Sequence, residues 1–322
     1  MKKKTLIYFI LSCFVLGIVG CGATTGSQDV KQTDTKTEGE DKTNSKKVVT
    51  VTTSFLNDMV KQLASDKVEV QLIIPAGEDP HLYVPQPNDV TKINDADLLL
   101  YHGLHFEGKM EDILETKGIA VCKDFTKEEV GKMEEDGKEI IDPHFWFDIS
   151  LYKKATAVAA QSLQELLPEE KDFIQDNLDK YLVELDQLQE ENKKALEVIP
   201  KEHRYLVTPH DAFNYFSRSY DIEVVAPQGV STDSEVASKD LADTANFIVE
   251  HKIKAIFAES TTDPARMEKL KESCAAKGFD VTVVHGDGKE LFSDSLAPEG
   301  QDGDTYISMY RHNIQLISEH LQ

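Results

Sequence analysis

The feature that most constrains the fold is a long helical pattern in the middle of the chain. Residues 150–199 contain no glycine, and Pro168 is their only proline. Apolar residues recur there at the spacing of a helix, at Ile174, Leu178, Tyr181, Leu182, Leu185 and Leu188. Because proline is favoured in the first helical turn, we predict one helix over residues 168–199, on the order of 45 Å long. A shorter helix should precede it, and together they would form a rigid spine between two lobes.

Short β-branched segments alternate with amphipathic helical segments on both sides of this spine. Before it, strands are predicted at residues 46–55, 68–75, 96–103 and 118–122, and helices at 55–64, 87–94 and 106–117. After it, strands are predicted at 204–209, 222–227, 254–260 and 280–286, and helices at 211–220, 238–251, 264–278 and 305–321. This alternation is typical of parallel α/β sheets. We therefore predict α/β lobes at residues 48–166 and 201–322, a linking helix at 167–200, and a ligand in the cleft beyond the strand ends.

The start of the chain has the pattern of an export signal followed by a tether. Three lysines precede an apolar run at residues 5–19, which is short for a transmembrane helix and typical of a secretory signal. The sequence IVGC, ending at Cys21, resembles a bacterial lipobox. We predict a signal peptide at residues 1–20, lipidation of Cys21 and a flexible tether at residues 21–47, where apolar side chains are scarce. The protein would then be lipid-anchored on the extracytoplasmic face of the cell membrane. We also expect it to be a monomer.

Charge and cysteine content exclude several classes of protein. The net charge is −23 and becomes −26 without residues 1–20, which carry three lysines and no acid; a chain this acidic is not expected to bind nucleic acid. Outside the predicted signal and lipobox, the only cysteines are Cys122 and Cys274. They fall in different predicted lobes, so we do not expect them to pair. No cysteine has metal-ligand spacing, which excludes thiolate zinc sites.

Three of the ten histidines directly follow a proline. His81 and His144 each end an Asp-Pro-His step, and His210 follows a Thr-Pro step at the end of a predicted strand. Proline restricts its own backbone and that of the preceding residue, so these histidines should have little freedom, as metal ligands require. Imidazole binds borderline divalent transition metals, and a carboxylate can complete the set.

The spacing leaves the identity of that carboxylate open. Glu259 ends a predicted strand and should face the cleft, whereas Asp294 lies in a loop after the last predicted strand; Asp304 is a less favoured candidate. His102 and His105 are candidates for lining the cleft or supporting the ligands. The remaining histidines lie on predicted helices or at edges and are interpreted as surface or hydrogen-bonded residues: His203, His251, His285, His312 and His320.

Five segments together carry a family resemblance, and they occur in that family's order. They are EDPHLYVPQPNDVTKINDADLLLYHGLHFEGKM, DPHFWFD, VTPHDAFNYF, IFAES and ELFSDSLAPEGQDGDTYISMYRHNI. From Val48 onward the chain resembles the cluster A-I metal-binding lipoproteins, the zinc- and manganese-capturing solute-binding components of ABC importers. The resemblance implies two α/β lobes bridged by a long rigid helix, a metal buried between them, and a membrane permease as partner.

Carried over motif by motif, the resemblance implies four metal ligands: His81, His144, His210 and Asp294. It decides in favour of Asp294, and Glu259 then becomes a hydrogen-bond partner for an imidazole. Many manganese-type members carry Glu where this chain has His210, and many zinc-type members carry a His-rich loop that residues 123–142 lack. Three histidines and one aspartate suit Zn²⁺, and extra carboxylate oxygen would suit Mn²⁺. Either ion is therefore the expected cargo, with a preference for zinc by ligand type.

Two other functions are compatible with parts of this pattern. A secreted zinc hydrolase would need an open metal position for water and a general base, for which Glu78 or Glu259 could serve. The sequence contains no HExxH motif, which argues against a hydrolase. A fourth protein ligand would also argue against it, because that ligand would occupy the position that water needs. A surface adhesin would need no buried metal and could coexist with transport. We predict metal capture without catalysis.

Overall fold

The computed structural model describes residues 46–135 and 137–322, and its first half is built on a parallel sheet. The strands are β1 (Lys47–Val51), β2 (Val68–Leu72), β3 (Leu98–Tyr101) and β4 (Ile119–Ala120), and the helices are α1 (Ser54–Ala64), α2 (Pro87–Asp95) and α3 (Glu111–Lys117). The strands lie in the order β2–β1–β3–β4. In the register of β1, Val49 aligns with Val70 of β2 and with Leu98 of β3. The apolar runs predicted as strands therefore form one sheet, with helices in the connections.

An antiparallel ladder that was not predicted from the sequence follows this sheet. Its strands are β5 (Lys132–Glu135) and β6 (Lys138–Ile141). Their residues are mostly charged and lack the alternation of apolar and polar side chains by which strands are recognised. The sequence does contain an Asp-Gly step at positions 136–137, a frequent hairpin signal. The ladder leads directly into the loop that carries His144.

Helices α4 (Ile149–Leu166) and α5 (Lys171–Leu196) form the predicted spine. Pro168 lies in a 3-10 turn that precedes α5, so the α-helix itself is shorter than predicted, 26 residues or roughly 39 Å. Its buried apolar residues are Ile174, Leu178, Tyr181, Leu185, Leu188 and Leu196. This face packs on α1, on α4 and on the last helix of the chain. The prediction of a long helix with one apolar face is confirmed.

The second half repeats the α/β pattern with shorter strands. The strands are β7 (Tyr205–Val207), β8 (Glu223–Val225), β9 (Ala255–Phe257) and β10 (Thr282–Val284), and the helices are α6 (Asn214–Tyr220), α7 (Ser238–His251), α8 (Ala265–Ala275) and α9 (Tyr306–Leu321). Strands β7 and β8 pair in parallel, as do β9 and β10. Beyond these strands, isolated parallel bridges join His210 to Gln228 and Glu259 to Leu291. The predicted fold class, two α/β lobes of parallel sheet joined by a long helix, is confirmed.

Aromatic side chains of α9 connect the two halves. The rings of Tyr152 and Tyr306 stack with their centroids 3.6 Å apart. The Tyr306 hydroxyl donates to the carbonyl of Trp146 at 2.6 Å, and the Tyr310 hydroxyl donates to that of Phe147 at 2.7 Å. All of these side chains are buried. Helix α9, the last element of the second half, is thereby fixed against the segment that follows His144.

Several predictions concern the cysteines and the start of the chain. Cys122 and Cys274 are both free thiols, so the expectation that they do not pair is confirmed. The predicted signal peptide, the lipidated Cys21 and the tether as far as residue 45 lie outside the described residues. Within the parts of the chain that the structure describes, no helix combines the length and the apolar character needed to cross a bilayer.

Candidate metal centre

Four side chains from four separate loops meet between the lobes. His81 lies between β2 and α2, His144 between β6 and α4, His210 after β7, and Asp294 between β10 and α9. Each offers a ligand atom, and these four atoms all lie within 4.8 Å of one another. Asp294 Oδ2 is 3.2 Å from His210 Nε2 and 3.8 Å from His81 Nε2, while Asp294 Oδ1 is 3.3 Å from His144 Nε2. The structure therefore brings together all four residues that the resemblance implied.

The donor atoms at this point fit a divalent metal ion. The three histidine Nε2 atoms and both Asp294 oxygens are buried and have no hydrogen-bond partner. Leaving a buried polar group unpaired costs roughly 1–3 kcal/mol, a cost that a bound cation removes. Around a tetrahedral metal with bonds of about 2.0–2.2 Å, neighbouring donor atoms lie about 3.4 Å apart. The distances from Asp294 to the imidazoles, 3.2–3.8 Å, bracket that value.

Both Asp-Pro-His steps use the aspartate to fix the histidine backbone. Asp79 Oδ1 accepts a hydrogen bond from the His81 N–H at 2.9 Å, and Asp142 Oδ1 accepts one from the His144 N–H at 3.0 Å. A carboxylate that bonds the backbone two residues on closes a tight turn, and the intervening proline stiffens it. Asp142 Oδ1 also lies 2.8 Å from His144 Nδ1, so this aspartate holds both the backbone and the ring of its histidine.

Comparisons with known proteins agree with this geometry. The family model described as zinc-uptake complex component A, periplasmic (ZnuA), matches residues 49–320. The chain belongs to the ZnuA family. The manganese-binding lipoprotein MntA of Bacillus subtilis is 36% identical over 279 residues, covering 85% of this chain and 89% of MntA.

Two solved structures of TroA show the same fold. One, from a study of the metal-binding specificity of TroA, has 62% sequence identity and a TM-score of 0.86, and the match covers 86% of this chain and 100% of that one. The periplasmic zinc-binding protein TroA of Treponema pallidum has 36% identity and a TM-score of 0.81, and the match covers 86% of this chain and 99% of that one. The resemblance to metal-binding lipoproteins of ABC importers is confirmed.

In this ZnuA-family chain, Glu259 lies beside the centre and contacts a candidate ligand from behind. Its Oε2 is 2.5 Å from His210 Nδ1 and accepts a hydrogen bond from the Ser293 hydroxyl at 2.9 Å. His210 follows β7 and Glu259 follows β9, and these two strands are neighbours. Although β7 and β9 are paired in separate two-stranded sheets, they pack side by side, which brings the two side chains together. Glu259 thereby directs Nε2 of His210 toward Asp294.

Asp142 supports His144 in the same way but was missed in the sequence analysis. The sequence did contain a pattern that could have predicted this role, because an aspartate stands two residues before the histidine in both Asp-Pro-His steps. Asp142 is fully buried and also accepts a hydrogen bond from Asn214 at 3.2 Å. Of the three candidate histidine ligands, the two that are fully buried, His144 and His210, thus each have a buried carboxylate on the Nδ1 side.

Three other residues considered from the sequence lie outside the group of ligand atoms. His102 is buried behind the centre, with its Nε2 2.7 Å from the Thr53 hydroxyl and its ring edge-on to Trp146. His105 is largely exposed and pairs with Glu111. The carboxylate of Asp304, the less favoured candidate for the fourth ligand, accepts the backbone N–H of Gly300 at 2.8 Å. Of these, only His102 has a place in the packing around the centre.

The buried carboxylates set the charge at the centre. Burial opposes ionisation of Asp294, but His210 and His144 hold its pKa well below the usual value. Burial lowers the pKa of His81 to about 3, so its imidazole is neutral. At His144 burial also opposes protonation, but Asp142 and Asp294 outweigh it and raise the pKa to about 9. The centre thus offers an ionised carboxylate and a neutral imidazole at once, and a metal ion replaces protons on the others.

Proposed function

We propose that this chain is the metal-capturing component of an ABC importer, with Zn²⁺ or Mn²⁺ as its cargo. The ligands would be His81, His144, His210 and Asp294. The observation that supports this most directly is the convergence of their buried, unpaired donor atoms within 4.8 Å of one another. Burial of a complete ligand set suits a protein that must enclose an ion and hold it until delivery.

The donor set supports binding of both metal ions at the same site, with a higher affinity for zinc than for manganese. Relatives of the chain are named for binding either metal. Three imidazoles and one carboxylate oxygen complete a tetrahedral zinc site. Both oxygens of Asp294 face histidines, so a bidentate aspartate would add the oxygen that manganese favours. Intrinsic affinities at such sites normally rank zinc above manganese.

We propose binding and release as the function, in preference to hydrolysis. A zinc hydrolase keeps one metal position open for water, whereas four protein ligands would fill a tetrahedral shell here. Of the two conceivable general bases, Glu78 is exposed and Glu259 is already engaged by His210 and Ser293. Neither is placed as an unengaged base beside the ligand atoms.

We also propose how the protein is organised at the membrane. Cys21 would carry the lipid, residues 21–47 would tether the folded part as a monomer near its permease, and the extracytoplasmic face would be its location. Residues 48–166 and 201–322 would act as the two lobes, with the linking helix at 167–200. The acidic composition supports a partner other than nucleic acid.

Metal analysis of matched variants tests the proposed function. Protein purified without added metal is examined by native mass spectrometry and elemental analysis, and zinc and manganese then compete for wild type, Asp294→Ala and Asp304→Ala. We expect one ion per chain in the wild type and in Asp304→Ala, whose carboxylate lies outside the ligand group. Asp294→Ala should lose at least about 100-fold in affinity, more than the loss of a supporting hydrogen bond. Unchanged stoichiometry and affinity in Asp294→Ala would reject the proposed ligand set.

A further inference from the structure

Large apolar side chains are seldom exposed on the part of the chain that the structure describes, and they are not scattered. The five are Leu82 (40% exposed), Val84 (55%), Val90 (38%), Val183 (55%) and Val198 (57%). Three of them follow His81 within nine residues. Leu82 and Val84 share a shallow groove, here named the docking groove, which is lined by Glu78, Asp79, Leu82, Tyr83, Val84 and Gln86. Clustered apolar exposure marks interaction sites, whereas single exposed residues do not.

The docking groove lies on the loop that encloses the metal centre. Leu82 directly follows His81, whose side chain is 4% exposed, and the other three candidate ligands are fully buried. An ion at this centre therefore leaves only if a covering segment moves. The side chains of Leu82 and Val84 project from that segment into solvent, and a partner that binds them gains a hold on the loop of His81.

Two cross-lobe hydrogen bonds fasten this loop. The Gly77 N–H donates to the Ser295 hydroxyl at 2.7 Å near its start, and the second bond lies next to His81. Asp79 Oδ2 accepts a hydrogen bond from the Thr232 hydroxyl at 2.5 Å, and Asp79 Oδ1 holds the His81 N–H. Thr232 belongs to the connection between β8 and α7, in the second half of the chain. The same carboxylate thus joins the loop to the opposite lobe and to the backbone of a ligand. A displacement of the docking groove is transmitted to His81 through Asp79.

The exposed charges around the docking groove are acidic. Residues 68–91 and 219–238 contain no lysine or arginine, while Glu78 in the groove and Asp233 and Glu235 next to Thr232 are exposed. Two basic side chains reach the second segment: Arg266 donates to Gln228, and Arg204 donates to the carbonyl of Tyr220 at the far end from Thr232. A second copy of so acidic a chain would bring like charges together, which is unfavourable. Complementarity calls for a partner that presents apolar side chains beside basic ones.

We infer that the docking groove, together with the acidic residues Asp233 and Glu235, is the surface on which the extracytoplasmic loops of the importer's permease dock. This rests on the proposed function, because only a delivery protein needs a partner that opens its site. The permease contributes apolar side chains to Leu82 and Val84 and basic groups to the acidic residues. Docking displaces the loop, breaks the contact between Asp79 and Thr232, and frees His81 from the ion.

Paired substitutions of exposed apolar residues test this inference. Full-length Leu82→Ser/Val84→Ser and the control Val183→Ser/Val198→Ser replace the native protein in cells, and uptake of radioactive zinc or manganese is measured at equal membrane levels. Metal affinity and stoichiometry are measured on the same purified proteins. We expect the docking-groove variant to lose at least about tenfold in uptake, as truncation of interface anchors does, with affinity within about threefold of wild type. The control should match the wild type in both.

The outcomes separate this inference from the proposed function. Unchanged uptake in the docking-groove variant overturns the inference and leaves metal capture intact. Uptake and affinity lost together overturn it as well, because the two residues would then serve the metal centre. A dimer in sedimentation that the same substitutions dissociate points to a second copy as the occupant, which also overturns it. A wild-type protein that binds no metal overturns the proposed function itself.

Discussion

Replacing Glu259 by leucine should weaken metal binding by about 10- to 100-fold without removing any proposed ligand. Glu259 Oε2 lies 2.5 Å from His210 Nδ1, and both side chains are fully buried. When Nε2 binds a metal, Nδ1 carries the proton, and in the variant that proton has no acceptor. A buried N–H without a partner costs roughly 1–3 kcal/mol, which corresponds to about 5- to 150-fold in affinity. Glu259→Gln retains an oxygen acceptor and should lose less than about tenfold.

Competition against a chromophoric zinc chelator measures these affinities. The matched control is Glu268→Leu, because Glu268 also faces a histidine, His285 at 3.3 Å, but both side chains are about 40% exposed. The control should stay within about twofold of wild type, as surface ion pairs contribute little. Zinc binding by Glu259→Leu within twofold of wild type would refute the reasoning. Equal losses for Gln and Leu would show that charge, and not the hydrogen bond, is what matters.

Three further predictions concern stability and release. Leu185→Ala, in the fully buried face of α5, should lower the free energy of unfolding by about 2–5 kcal/mol, whereas exposed Val183→Ala should change it by under about 0.5 kcal/mol; similar urea midpoints would contradict this. Thr232→Val leaves a half-buried oxygen of Asp79 unpaired, so stopped-flow chelation should show release at least about fivefold faster, and an unchanged rate would argue against the cross-lobe contact. Burial raises the pKa of Glu107 from 4.5 to about 7. Between these two pH values, Glu107 keeps its proton in the folded state and loses it in the unfolded chain. The stability that protonated Glu107 contributes is therefore fully present below pH 4.5 and is lost as the pH rises through 7. The free energy of unfolding of Glu107→Gln, measured by urea denaturation, should rise by roughly 2–3 kcal/mol relative to that of the wild type between pH 5 and pH 8. A difference between the two proteins that stays constant over this pH range would contradict the prediction.

Periodicity predicted the elements of this fold better than their ends. The buried face of α5 appears in the sequence as an apolar stripe, because a helix repeats every 3.6 residues. Strand ends are less visible: Ile73 and Ile74 are buried and extend the apolar run of β2 past its last paired residue, Leu72. Burial and strand pairing are different properties, and sequence patterns report the first. The charged β5–β6 ladder was missed for the same reason.

The candidate site shows where reasoning from the residues alone stops. Proline steps predicted His81, His144 and His210 as candidate ligands, because local backbone restriction is encoded locally. The choice between Glu259 and Asp294 needed the family resemblance, since both follow strands of the second half and a parallel bridge joins Glu259 to Leu291, three residues before Asp294. Only side-chain direction separates them: Glu259 meets Nδ1 of His210 and Asp294 meets Nε2.

The hydrogen bonds around Asp294 bear on which part of the protein moves when an ion is released. The loop of Asp294 belongs to the second half in sequence, yet first-half groups hold it: Ser54 accepts the Leu296 N–H at 2.9 Å, the Ser295 hydroxyl accepts the Gly77 N–H at 2.7 Å, and the Trp146 indole donates to the carbonyl of Ser293 at 2.9 Å.

Separating the lobes would break these bonds and also the buried contacts between α9 and the segment after His144. Each such bond contributes on the order of 1 kcal/mol, and the stacked tyrosines add to it. Displacing the loop of His81 breaks at most two cross-lobe bonds, from Thr232 to Asp79 and from Gly77 to Ser295, and leaves the contacts of α9 intact. The loop is therefore the less costly route, and we expect Thr232→Val to accelerate release more than Trp146→Phe, which removes the indole N–H together with part of a fully buried ring. Faster release from Trp146→Phe would instead assign release to motion of the lobes.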